Sequence, residues 1–557
     1  MPRKTKKAST KYIFVVGGVM SGVGKGITCS SIGRILIGKG FKVSAIKIDP
    51  YINIDAGTMN PTEHGEVFVT EDGDETDQDI GNYERFLNRN ILRDNYMTTG
   101  RVYQSVITRE RNLEYGGKCV EVVPHIPEEV IRRIKHAAKK DKAEIMIIEI
   151  GGTVGEYQNM LFLEAARMMN ILEKGNVVMA MVGYLPIPSM IGEMKTKPTQ
   201  YAVRTLNQAG IQPDFLVCRA RRPLDEPRKR KLAVASAVEE ENIISAPDVE
   251  SIYDVPINFE KDNLGNKILK KLGLKSRKKN LQDWRKVVGR MKNAKKEVSI
   301  GMVGKYFKTG DFSLSDSYIS VIQAVKHATM ATGVKVKLAE INAEDVEKQG
   351  VKILKQFDGI IVPQGWGSRG SEGKIKTIEY CRKNQVPYFG LCYGMQMAVI
   401  EFARNVLKYK DANSEECNPK TKHPVIHLME EQKALIAKKQ YGGTIRLGGW
   451  LCKLKKGTRL ARIYGRKFGR QEVVSERHRH RYEFNNKYRE QYEKAGMIIS
   501  GTSPDNKLVE AVEIKNHPFF IGTQFHPEYI SRPLDPHPLF VEFVRACEKI
   551  KKSYKAN

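Results

Sequence analysis

Short apolar runs recur along this chain, each closed by a glycine-rich or polar turn and followed by a helix-like stretch. The first half carries "YIFVVGG" (12–18), "KVSAIKID" (42–49), "EIMIIEIGG" (144–152), "NVVMAMVGYLP" (176–186) and "DFLVCRA" (214–220). The second half carries "VSIGMVGKY" (298–306), "VKVKLAEIN" (334–342), "DGIIVPQGWG" (358–367), "VPYFGLCYG" (386–394), "LVEAVEI" (508–514) and "FFIGTQFHPE" (519–528). A strand that is apolar throughout is buried on both faces, and such strands separated by helices build parallel sheets. Between the halves, "LKSRKKNLQDWRKVVGRMKNAKKE" (274–297) is basic and poor in apolar residues. The expected fold class is α/β with two doubly wound domains. Their boundaries read as 1–273, a linker with some helix over 274–297, 298–546, and a basic tail over 547–557.

No run of about 18 apolar residues occurs, so no membrane-spanning helix is expected. The basic start "MPRKTKKASTKYIFVV" runs straight into a glycine loop, which argues against a signal peptide. The cysteines are at 29, 119, 218, 381, 392, 417, 452 and 547, with no CxxC pair, which points to a reducing cytoplasm. The chain has 93 Lys and Arg against 64 Asp and Glu, a net charge of +29. Such a charge favours anionic partners, nucleoside triphosphates or nucleic acid. The excess lies in short runs such as "PRKTKK" (2–7), "RKRK" (228–231) and "KIKKSYK" (549–555), without the interleaved aromatics that stack on bases. A solvated lysine-rich surface is the simpler reading.

"YIFVV" leads into "GGVMSGVGKGITCSSIGRIL" (17–36). Strand, glycine loop, Gly-Lys and helix form a phosphate cradle, in which loop N–H groups and the helix N-terminus face the anion and Lys25 adds a mobile charge. The match to GxxxxGK[ST] is partial: Val19 stands at the first-glycine position, and Gly26 replaces the Ser or Thr that ligates magnesium. Metal carboxylates are therefore expected elsewhere. "EDGDETDQDIGNYERF" (71–86) is dense in them, and Glu149 ends a buried strand, where open α/β sheets bind ligands. A structural ion pair is the alternative for each.

Cys392 follows the strand "VPYFG" and precedes the helix "YGMQMAVIEFARNVL". That is the layout of a nucleophile elbow, where a strained turn exposes one side chain beside a helix N-terminus that favours a thiolate. "FHPE" (525–528) supplies His526 as a base and Glu528 to orient it. A buried structural cysteine is the alternative.

"YIFVVGGVMSGVGKGI", "KIDPYIN", "GTMNPTEHGEVFVTEDGDETDQDIGNYERF", "EIGGTVGEYQ" and "GEMKTKPTQ" together resemble the synthetase domain of CTP synthases. The stretch from "GLCYGMQ" to "FHPE" resembles their class I glutamine amidotransferase domain. The resemblance spans about 11–545. It implies a P-loop-type amidoligase domain in which ATP phosphorylates the 4-oxygen of UTP and ammonia then displaces the phosphate, giving CTP. Ammonia comes from glutamine hydrolysis or is supplied free. By resemblance, Gly22, Val23, Gly24, Lys25, Gly26 and Ile27 hold ATP phosphates. Arg219, Pro247, Asp248 and Val249 form the adenine site. Lys25 and Lys47 support phosphoryl transfer, and Asp79 and Glu149 ligate Mg2+. UTP and CTP fall to Ser21, to Glu156, Tyr157 and Gln158, to Lys195, Thr196, Lys197, Pro198, Thr199 and Gln200, and to Lys231. Glutamine falls to Gly365, Tyr393, Gly394, Met395, Gln396, Glu416 and Arg481. Gly365 and the backbone after Cys392 form the oxyanion hole. His64 matches a position near the ammonia entrance. The resemblance further implies GTP as allosteric activator, CTP as feedback inhibitor and a homotetramer; some relatives polymerise.

Three departures stand out. Members of the family usually read "GTVGDIE" and "GKTVQVIPH"; here Glu156 and Gln158 occupy the first motif and Glu121 the second. These are pyrimidine-nucleotide contact regions, so feedback strength is the property in question. Gln364 stands where the family usually has another glycine, which bears on the shape of the oxyanion hole. A cobyrinic-acid-type amidase is a second enzymatic reading, opposed by "KTKPTQ" and "GTMNPTEHGEVF". A basic nucleic-acid-binding protein on an enzyme scaffold is a third. "ERHRHRYEFNN" (476–486), taken alone, reads as a basic surface patch.

Overall fold

The computed structural model describes residues 9–278, 281–309, 312, 313, 315–429, 432, 443–469 and 471–556. The basic run at 2–7 lies outside them. The chain forms two compact units: one joins the residues up to Asp55 with Asn82–Arg285, the other joins Ala56–Gly81 with the residues from Lys286 onward. The short stretch 56–81 thus packs with the C-terminal half of the sequence.

The first unit is built on seven strands in the order Tyr96–Thr98, Val43–Asp49, Ile145–Ile150, Lys11–Gly17, Val177–Tyr184, Phe215–Ala220 and Ile243–Pro247. Every neighbouring pair is parallel. Ile145–Ile150 shows why: all six residues of "IMIIEI" are buried, mostly β-branched side chains filling both faces. Ile243–Pro247, at the sheet edge, is a strand the apolar-run reading passed over. The helix Lys25–Gly38 follows the first strand, and Gly24 before it takes φ +96°. That left-handed conformation suits glycine. Val19 has φ +79° without that freedom, a strained position at the loop's entry.

Among the described residues, the main sheet of the second unit has nine strands. Val334–Asn342, Lys296–Gly304, Gly359–Val362, Tyr388–Leu391 and Phe520–Thr523 run parallel, and Val509–Ile514, Met497–Thr502, Arg446–Leu454 and Val473–His480 extend the sheet antiparallel. Val473–His480 contains most of the motif that reads as a basic surface patch, yet Glu476, Arg477, His478 and His480 are all at most 1% exposed. Their charges are paired inside the unit. Arg477 Nε lies 3.1 Å from Glu71, Arg479 Nε 2.8 Å from Glu75, and His478 Nε2 2.7 Å from Glu510. Buried ions persist only when so compensated. Among the described residues no helix is long and apolar enough to cross a membrane.

Candidate functional site

In the second unit, the strand Tyr388–Leu391 hands the chain to the helix Tyr393–Asn405 through Cys392, whose φ is +49° and ψ −98°. A non-glycine residue held there is strained, a feature that concentrates at reactive sites. Close packing enforces the turn: a Cβ on Gly394 would stand 2.1 Å from the Val362 carbonyl oxygen. The thiol is 5% exposed; it donates to the Arg479 carbonyl at 3.8 Å and accepts from Gln524 Nε2 at 3.4 Å. Cys392 and His526 line one small cavity with Gln364, Gly365, Trp366, Gln396, Glu416 and Arg481. His526 Nδ1 lies 2.8 Å from Glu528 Oε1, while Nε2 is buried with no hydrogen-bond partner and remains available for proton transfer. The imidazole stacks on Tyr529 at 4.9 Å between ring centroids. Burial alone would lower the His526 pKa, but the charge of Glu528 and then of Cys392 outweighs it and raises the group to about 10. An imidazolium is the form that can protonate a leaving amine.

The loop 363–367, which carries Gly365, is braced from several sides. Lys374 Nζ donates to the Pro363 carbonyl at 2.8 Å, and Lys305 Nζ to the carbonyls of Trp366 and, at 2.8 Å, Gly367. The Trp366 amide donates to Tyr306 Oη at 2.9 Å, and the Gly367 amide to Glu416 Oε1 at 2.7 Å. Tyr393 Oη donates to the Gly367 carbonyl at 2.6 Å, its ring lying 4.9 Å from Lys305 Nζ and 5.0 Å from Lys374 Nζ. Burial lowers Lys305 to about 8, with Glu416 opposing, and holds Lys374 well below the ordinary lysine value. Gln396 Nε2 donates to the Tyr482 carbonyl at 2.9 Å. Met395 lies within the helix that Cys392 opens. Of the glutamine positions expected from the sequence, Gly365, Gln396, Glu416 and Arg481 line the cavity itself. Gln524, Lys305, Lys374 and Tyr529 were not singled out from sequence. "QFHPE" contains Gln524 and is followed by Tyr529, and "VGKY" contains Lys305; Lys374 lies in neither.

In the first unit, Lys25 opens its helix and is 8% exposed; its Nζ donates to the Gly152 carbonyl at 2.9 Å. Lys47 Nζ sits between two carboxylates, 2.9 Å from Glu149 Oε1 and 3.6 Å from Asp49 Oδ1. Tyr83 Oη donates to the other oxygen of Glu149, and Tyr51 Oη to Asp49 at 3.0 Å. Asp49 is a carboxylate that sequence reading did not single out. A cavity of about 380 Å³ is lined by Gly24, Ile27, Arg219, Pro247, Asp248 and Val249, all expected at the ATP site. Arg219 pairs with Asp248 at 2.8 Å. Val23 and Gly26 are buried beside Lys25, whereas Ser21 and Gly22 are exposed.

The positions expected at the pyrimidine nucleotide are mixed in exposure, with Thr196 and Thr199 buried. Gln158 Nε2 donates to Glu156 Oε2 at 2.6 Å, and Tyr157 is 93% exposed. Lys195 pairs with Glu193 at 2.7 Å. Thr199 donates to the Tyr184 carbonyl at 2.8 Å, and Gln200 to Thr196 at 3.0 Å. Lys197 and Pro198 begin the helix Lys197–Gln208, and Lys231 is exposed on the helix Glu226–Ser236. Glu121 lines a separate cavity of about 470 Å³. Asp79 stands in the first turn of the helix Gln78–Leu87, and His64 ends the short helix Pro61–His64. Among the described residues no group of three or more His, Cys, Asp or Glu side chains gathers as a metal cage.

A parallel-sheet unit with a phosphate loop, joined in one chain to a unit with a Cys-His-Glu elbow, defines a glutamine-dependent ligase. Comparisons with known proteins give the family. Residues 11–274 match the family model described as CTP synthase N-terminus, and 313–546 match glutamine amidotransferase class-I. The CTP synthase of Carboxydothermus hydrogenoformans is 49% identical over 98% of this chain and 100% of its own length. That of Pyrococcus furiosus is 49% identical over 98% and 99%. A solved glutaminase domain of the Trypanosoma brucei enzyme is 38% identical, covering 45% of this chain and 94% of its own, with a TM-score of 0.41. The chain belongs to the CTP synthase family. It aminates UTP to CTP, with ATP as co-substrate and glutamine as nitrogen donor.

Proposed function

We propose that Cys392 is the nucleophile of the glutaminase reaction. The observation that carries this reading is the strained elbow beside an imidazole oriented by Glu528 at 2.8 Å. The thiolate attacks the glutamine amide carbon, and the oxyanion is held by the Gly365 loop and the backbone after Cys392. His526 returns a proton to the departing nitrogen. Water then releases glutamate from the thioester, with His526 as base. A chloroketone analogue of glutamine tests this: it alkylates one residue per chain, and peptide mapping finds the adduct on Cys392. An adduct elsewhere contradicts the assignment.

In the first unit, ATP lies over the loop 22–27, its adenine toward Arg219, Pro247, Asp248 and Val249. Lys25 and Lys47 offset charge on the phosphoryl group as it passes to the UTP 4-oxygen. The residues at 156–158, 195–200 and 231 take the pyrimidine nucleotide. Glu149 fits a magnesium site in donor chemistry, a buried carboxylate of the hard oxygen type this ion prefers. Asp79 joins it on the strength of the family resemblance. The ion, when bound, neutralises phosphate charge. Glutamine is held by Gly365, the turn 393–396, Glu416 and Arg481. GTP activates glutamine hydrolysis, CTP inhibits by feedback, and ammonia enters near His64.

The working boundaries remain 1–273 for the synthetase, 274–297 for the linker, 298–546 for the glutaminase and 547–557 for the tail. A homotetramer is supported by the apolar side chains Ile107, Leu113, Val122 and Val123, all exposed on the first unit. A cytoplasmic location is supported by cysteine usage, eight cysteines with no CxxC pair.

A further inference from the structure

The loop 363–367 carries Gln364, whose side chain the mechanism above does not use. Gln364 lines the same cavity as Cys392 and His526. Its Nε2 donates to Glu66 Oε1 at 3.1 Å. Glu66 is 4% exposed, and its other oxygen accepts from the backbone amide of Ser320 at 2.9 Å and from the Ser320 hydroxyl. The Glu66 amide donates to the Asp316 carbonyl at 3.0 Å, so the residue is held at its backbone as well as at its carboxylate. A carboxylate accepts and does not donate, so it also fixes which end of the Gln364 amide is which. The carbonyl end, Oε1, is then buried with no hydrogen-bond partner. A buried, unpaired amide oxygen is costly, and in a substrate pocket such an atom points to a ligand donor that completes it.

We propose that Gln364 is a substrate-contacting residue: its Oε1 accepts a hydrogen bond from the carboxamide N–H of the bound glutamine, with Glu66 as the positioning residue that turns the amide that way. This rests on the glutaminase reading of Cys392. The contact favours substrates carrying N–H on the leaving group and helps seat the scissile C–N bond over the thiol. It is a feature of this chain, because the position is usually glycine in the resemblance described above, and glycine has no side chain to offer.

An ester separates this role from a structural one. Glutamate γ-methyl ester has the same carbonyl carbon for Cys392 to attack but no N–H on the leaving group. In the full-length enzyme, Gln364→Met keeps the size of the side chain and removes the acceptor. A neutral hydrogen bond of ordinary strength predicts that kcat/KM for glutamine falls about 3- to 10-fold, while that for the ester stays within about twofold. Gln364→Gly gives the same selective loss. Glu66→Gln frees the amide to turn and lowers glutamine turnover relative to the ester. Ammonium-dependent CTP synthesis confirms that each variant is folded. An equal fall on amide and ester, or no change on either, overturns the proposal. Failure of the underlying reading looks different: if Cys392 were not the nucleophile, Cys392→Ala would still hydrolyse both substrates.

Discussion

In the pocket proposed for glutamine hydrolysis, Cys392 and His526 line one small cavity within one unit, and Glu528 holds the imidazole at 2.8 Å. At the phosphate loop of the other unit, the charged groups are engaged with each other: Lys47 is shared by Glu149 and Asp49, and Lys25 is turned to a backbone carbonyl. The difference follows from the chemistry. A covalent nucleophile needs its partners fixed in advance, because a misplaced proton acceptor forfeits the rate. At the proposed phosphoryl-transfer site, Lys47 and the carboxylates of neighbouring strand ends balance one another's charge.

The largest effect that would sharpen this contrast is expected at Glu528. Glu528→Gln removes the charge that raises His526, so the imidazolium loses its proton at lower pH. Glutamine-dependent kcat/KM should fall by up to about 10⁴-fold, as when a triad loses its orienting carboxylate. The alkaline limb of its pH profile should move to lower pH. An unmoved limb would break the claim that Glu528 sets the charge of His526.

Next comes Lys25→Ala, which acts in the other unit and should reduce CTP formation about 10²–10³-fold with glutamine and with ammonium alike. Normal synthesis with either nitrogen source would remove Lys25 from the phosphate site.

How much of this was legible in the sequence differs between the two sites in the same way. Cys392, His526 and Glu528 stand in short motifs, and the structure brings the thiol and the imidazole of those motifs to one cavity. The braces of the oxyanion loop were not legible. Glu66 meets Gln364 across 298 positions of sequence, and no local pattern announces such a pair. "ERHRH" misled for a related reason. Charge runs usually mark a solvated face, but here Glu71, Glu75 and Glu510, distant in sequence, neutralise the run inside a strand. At the phosphate loop the glycines and Lys25 were legible, whereas Asp49 was not, because its pairing with Lys47 depends on strand ends brought together by the sheet.

A smaller effect is expected from the exchange of carboxylate between the two pyrimidine regions. The double change Glu121→Gln with Gln158→Glu should shift the CTP concentration that half-inhibits synthesis by about fivefold or less, the scale of exposed charge pairs. Identical inhibition would show that the exchange is silent.

The smallest effect concerns stability and leaves the reaction at neutral pH untouched. Burial would raise the Glu129 pKa, but hydrogen bonds from Arg132, Arg133 and Ser105 outweigh it and bring the group down to about 2. A carboxylate depressed in the folded state stabilises above its ordinary value, and that contribution is lost as pH falls toward the folded value. Thermal unfolding followed from pH 5 to about pH 2 should therefore steepen in the wild type relative to Glu129→Gln. Parallel curves would contradict the assignment.

The central claim is that one chain holds two separable chemistries, with Cys392 serving only the first. CTP formation by Cys392→Ala, measured with glutamine and then with ammonium, tests it most directly. Alanine removes the nucleophile and adds neither bulk nor charge. The account predicts no synthesis from glutamine and undiminished synthesis from ammonium. Synthesis from glutamine, or loss with both nitrogen sources in a protein that remains folded, would contradict it.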